Sequence, residues 1–122
     1  MKIVVDEENR SMVVGLGMVS LRIHECRSLK EKRRVIKSVV SQIRNQFNAS
    51  IAEVGANDIY QEAEIGIAVV GNDRVFINSV IDKIFNSIEG LGLAEVTQLE
   101  MEIMNLWNLL CDQTESHHKY SG

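Results

Sequence analysis

A chain of 122 residues, 45% hydrophobic and 25% charged, has the make-up of one globular domain: too short for two cores and too apolar for an extended disordered chain. Zero prolines and eight glycines leave no Pro-rich or Gly/Ser-rich linker, and two cysteines are too few for a disulfide framework. The formal net charge of -4 conceals a basic segment, because eight of the thirteen Lys and Arg residues fall between Arg22 and Arg44 against two acids there, so overall acidity does not exclude an anionic partner.

The N-terminal residues, MKIVVDEENR, hold one short apolar patch, Ile3 to Val5, before an acidic cluster. That is too little for a signal peptide, and no apolar run approaches the ~20 residues of a membrane-spanning helix. The expectation is a cytoplasmic protein with no membrane partner, with residues 1–11 as an extension, 12–105 as the domain and 106–122 as a partly disordered tail. In a reducing compartment Cys26 and Cys111 stay thiols.

The first strand is expected over residues 12–23. It is apolar on both faces, as a central strand covered on both sides is, and Gly15 and Gly17 mark a side where a helix approaches closely. Ser28 and Glu31 form a Ser-x-x-Glu capping box, from which a helix runs to about Phe47 with Leu29, Ile36, Val40 and Ile43 as its apolar face and Asn48 as a left-handed C-terminal residue. A second strand over 49–54 leads through Gly55-Ala56-Asn57-Asp58 to a third over 63–70, whose Gly66 and Ala68 repeat the small-residue side of the first. Gly71-Asn72-Asp73 supplies a turn and the N-cap of a second helix over about 73–88 that buries Ile77, Val80, Ile81, Ile84, Phe85 and Ile88 and is stopped by Gly90 and Gly92. A last strand spans 94–104, with Glu100 and Glu102 on one side and Leu99, Met101 and Ile103 on the other.

Strand, helix, strand, strand, helix, strand, joined by right-handed crossovers, makes an α+β ferredoxin-like βαββαβ sandwich: a four-stranded antiparallel sheet with both helices on one face. The first and third strands form its centre. The other face is then open and apolar, with Val14, Leu16 and Met18 expected beside Ile65, Ile67 and Val69. A patch of that size marks an interface, closed by self-association, a homo-oligomer and first of all a dimer, or by the terminal segments.

The first helix carries a second pattern. Lys30, Arg34, Lys37, Ser41 and Arg44 recur at helical spacing, with Arg27, Lys32 and Arg33 adding to the charge, and few acids stand at i±4 to pair with them. Such a stripe can follow the phosphates of RNA without reading sequence, or it can be a solvated face or contact a protein. The two central strands contain no Phe, Tyr or Trp, which argues against base stacking on the open sheet face.

The run RSLKEKRRVIKSV from Arg27 resembles the YlxP-like family of small bacterial proteins, as do the strand at Gly15-Leu16, Val54 with Asp58 and Gln61, and the run Ile65 to Asp73. The similarity spans about Met12 to Met104. The resemblance implies a ferredoxin-like fold, no established reaction or cofactor, and, from genes commonly encoded beside those of its members, a role near RNA or the ribosome. The chain departs from the family in its N-terminal extension, in its tail after Met104, at Gly71 and at His24-Glu25-Cys26.

His24-x-Cys26 could be half of a metal site completed by Cys111, His117 or His118, but zinc needs four placed ligands and no second close pair lies in the folded part, so a strand-end histidine and a buried thiol are the better account. Asp58 and Gln61 suit turn and capping roles. No P-loop, dinucleotide fingerprint, HExxH or GxSxG pattern occurs, no triad spacing is evident, and no catalytic residue, metal or cofactor is expected.

Overall fold

The computed structural model describes residues 11–56 and 58–106. The elements are β1 (Val13–Arg22), α1 (Leu29–Gln46), β2 (Ser50–Gly55), β3 (Glu62–Gly71), α2 (Arg74–Leu91) and β4 (Glu95–Asn105). They form a four-stranded sheet in the order β2-β3-β1-β4 with every neighbour antiparallel. This is the ferredoxin-like α+β sandwich. Readings that concern Ile3 to Val5 and residues 107–122 lie outside the described residues.

Alternation along β1 decides which side the helices take. Val13, Gly15, Gly17, Val19 and Leu21 are buried. A Cβ at Gly15 would lie 2.4 Å from both Ile77 Cγ2 and Ile81 Cδ1, and one at Gly17 would lie 3.1 Å from the Phe85 ring. The two glycines thus let α2 descend onto the centre of the sheet, and Ile77, Ile81, Ile84, Phe85 and Ile88 fill the space their missing side chains leave. Val80 is only partly buried.

The structure corrects the parity of β3. Gly15 pairs with Val69, Gly17 with Ile67 and Val19 with Ile65, so Ile65, Ile67 and Val69 belong to the buried core beneath the helices. Large residues on β3 stand beside small ones on β1, and together they fill one layer. Gly66 and Ala68 therefore face the other way, beside Met18 and Leu16. The open face consists of Val14, Leu16 and Met18 from β1, Gly66, Ala68 and Val70 from β3, Ser50, Ala52 and Val54 from β2, and Glu100, Glu102 and Met104 from β4.

The helix ends follow their chemistry, with two departures. Ser28 Oγ accepts from the Glu31 N–H at 3.1 Å, and the Glu31 carboxylate accepts from the Arg27 N–H at 2.7 Å, one residue before the cap. Asp73 Oδ2 accepts from the Phe76 N–H at 3.0 Å. The first departure is at the end of α1, which closes on Phe47 in extended backbone (φ -130°), so Asn48 is not a left-handed cap. The second is that α2 continues past Ile88 through Gly90, where its own hydrogen bonds hold it; Gly92, the other glycine expected to stop it, ends it in left-handed backbone at φ 66°.

Candidate nucleic-acid interface

The buried stripe of α1 is Lys32, Ile36, Val39 and Ile43, with Leu29 and Val40 half-buried at its border. At about 100° per residue, Lys30, Arg34, Lys37 and Ser41 point to the opposite side of the helix, flanked by Arg33 and Arg44. All six are exposed, as is Arg27 just before the helix. The stripe from residue 30 to residue 44 is about 21 Å long at ~1.5 Å per residue. Lys32–Glu53 and His24–Glu95 are the ion pairs among the described residues, so none of the six exposed cations, Arg27, Lys30, Arg33, Arg34, Lys37 and Arg44, is neutralised by a described carboxylate. Glu31 is the one acid on the helix, and it is spent on the Arg27 N–H.

Lys32 does not belong to this surface. The residue is 1% exposed, its Nζ lies 2.8 Å from Glu53 Oε2, and it donates to the Ala56 carbonyl and to the Ile59 carbonyl at 2.9 Å. Expected to add its charge to the outward face, Lys32 instead stands at i-4, i-7 and i-11 from Ile36, Val39 and Ile43 and shares their inward side. Glu53 likewise shares the inward side of β2 with Ile51. The approach of Glu53 Oε2 to the ammonium lies outside hydrogen-bond angles, so the contact is electrostatic and that oxygen has no hydrogen bond among the described residues. The signal available in the sequence was one cation and one acid, each at the inward phase of its own element. Together they anchor the turn after β2, where Ala56 sits at φ 57°, a conformation a side chain resists.

Arg44 is exposed but tied: its Nη2 donates to the Ile51 carbonyl at 3.1 Å, which wraps it over the free edge of β2. On and beside α1, the exposed cations whose side chains have no hydrogen bond or ion pair among the described residues are therefore Arg27, Lys30, Arg33, Arg34 and Lys37.

With the geometry in hand, comparison with known proteins decides the family. Residues 14–101 match the family described as Protein of unknown function (DUF503). The chain belongs to the DUF503 family. It is 33% identical over 85 residues to the Uncharacterized protein YlxP of Bacillus subtilis (strain 168), covering 70% of this chain and 92% of that protein. The YlxP-like resemblance at the Arg27 run is thereby met. Among solved structures it is similar to the de novo designed protein Foldit4, with a TM-score of 0.45, 17% identity and coverage of 78% of this chain and 97% of that one. It is similar also to the structural-genomics protein YJCS, with a TM-score of 0.44, 12% identity and coverage of 73% and 96%. The DUF503 match takes in the basic helix, Lys32 and Glu53 together.

The remaining candidates of this DUF503 chain sit apart from the helix face. His24 Nε2 is 2.7 Å from Glu95 Oε1, while Cys26 is buried with its Sγ directed at the Ser28 carbonyl at 3.4 Å. Histidine and thiol are thus engaged by different partners, and among the described residues no three His, Cys, Asp or Glu are grouped to hold a metal. Asp58 is exposed, and Gln61 serves through its carbonyl, which accepts from the Ile23 N–H at 2.9 Å. No helix among the described residues is long and apolar enough to cross a membrane.

Proposed function

We propose that this DUF503 protein is a non-enzymatic RNA-binding protein of the cytoplasm, working on the ribosome or its RNA, and that the outward face of α1 holds the phosphates. One observation carries the reading: the exposed cations Arg27, Lys30, Arg33, Arg34 and Lys37 have no ion-pair partner among the described residues, and Lys30, Arg34 and Lys37 lie opposite the buried stripe with Arg33 beside them and Arg27 just before the helix. A solvated helix face is ordinarily laced with i,i+4 pairs of opposite charge, and this one is not. Each phosphate bound by such a cation releases counterions, which gives affinity without sequence reading. The absence of aromatics from β1 and β3 agrees with contact through backbone and shape.

The test is a titration of the full chain against structured RNA and ribosomal particles at several salt concentrations. Three to five phosphates predict a slope of log K against log salt of about -2 to -4. A salt-independent affinity, or none, refutes the proposal.

A further inference from the structure

In its middle the open sheet face is divided lengthwise, with Leu16 and Met18 of β1 beside Ala68 and Gly66 of β3 and Ser50 and Ala52 of β2. Val54 leans over Gly66, and at the far end Val14 and Val70 stand level, bordered by Met104 on β4. Leu16 is 39% exposed, Val54 55% and Val70 61%. Four strands ~4.8 Å apart and about nine residues of ~3.3 Å each present roughly 550–600 Å². Two such faces together reach about 1,100–1,200 Å², the threshold of a standard specific interface.

We infer that this face is closed by a second copy of the chain, sheet on sheet, about a two-fold axis that runs along the strands between β1 and β3. Such an axis keeps every residue at its level along the strand and exchanges β1 with β3 and β4 with β2. Leu16, which pairs with Ala68 in its own sheet, then lies over the partner's Ala68, and Met18 lies over the partner's Gly66. Ridge meets trough. The other in-plane axis, across the strands, would set β1 on β1 and β4 on β4, bringing ridge against ridge and the carboxylates of Glu100 and Glu102 against their own copies, which both bulk and like charge oppose.

Charge supports the same axis. The level of Met101 runs through Gly17 and Ile67 to Ile51 across the four strands. Arg44 is fastened to the Ile51 carbonyl at the β2 edge. The partner's Arg44 therefore arrives at the β4 edge at the level of Met101, between Glu100 and Glu102. Neither carboxylate has an ion-pair partner within the described residues.

The experiment is the mass and dissociation constant of the full chain by sedimentation, with circular dichroism as the check on folding. The wild type is expected as a dimer. R44E and the pair E100R/E102R are each expected to weaken it on the order of tenfold or more, since like charges then meet, and their combination to restore it. A68F, which fills the trough without touching a charge, is expected to give a folded monomer. A wild type that stays a single chain at its highest soluble concentration overturns the inference and leaves the face to another occupant. A dimer that A68F does not disturb, or that the combined reversal does not restore, overturns the geometry.

Discussion

Replacing Lys32 by Met tests the reading of the buried cation. The side chain is 1% exposed and is bound to Glu53 and to the carbonyls of Ala56 and Ile59, while the Glu53 side chain is 24% exposed. Met preserves most of the apolar stem, so packing beside Ile36 is largely kept. What is lost is the counter-charge of Glu53 and the donor to two carbonyls. Breaking a buried pair from one side costs about 3–5 kcal/mol, mostly the penalty on the stranded charge. Partial access of Glu53 to water places this case at the lower end, about 3 kcal/mol. With a urea m-value of about 1.5 kcal/mol/M, the midpoint falls by about 2 M. The double variant K32M/E53M removes the stranded charge as well, leaving only the two carbonyls, each worth about 1 kcal/mol, against added apolar burial. It is expected to regain most of the stability. Equilibrium urea unfolding followed by circular dichroism measures both. A K32M midpoint within 0.5 M of wild type, set against the ~2 M expected, or a double variant no more stable than the single, refutes the account.

Three substitutions test the packing and the caps by thermal unfolding. G15A forces a Cβ to 2.4 Å from Ile77 and Ile81, both buried, and is expected to cost about 1–3 kcal/mol. G90A lies inside α2 with nothing within 4 Å of its added methyl and is expected to stabilise by about 0.5–1 kcal/mol, so the two glycine changes move the midpoint in opposite directions. S28A removes the acceptor for the Glu31 N–H and is expected to lose about 1 kcal/mol.

Element order, sheet centre, the close approach at Gly15 and Gly17, and the caps at Ser28 and within Gly71-Asn72-Asp73 were all legible, because each rests on local pattern and on backbone groups that must find partners. The phase of β3 was not. Ile65, Ile67 and Val69 alternate with Gly66, Ala68 and Val70, and both sets are apolar, so alternation alone cannot say which set faces in. The deciding fact is cross-strand: volume lost at Gly15 and Gly17 must be made up by Val69 and Ile67. The same holds at the site. Exposed cations opposite an apolar stripe could be read from the 3.6-residue period, whereas the capture of Lys32 depends on Glu53 and on two loop carbonyls, none of them near it in sequence. Long charged side chains reach partners that periodicity does not contain.

The central claim is that the outward face of α1 holds phosphates. Its most direct test compares RNA affinity at fixed salt for the wild type, for K30E/R34E/K37E, and for K83E, a charge reversal at an exposed position of α2. Reversing three phosphate contacts is expected to lower affinity by a hundredfold or more and to flatten the salt dependence, with K83E close to wild type. Equal affinity for the triple reversal and the wild type, with both folded, would contradict it.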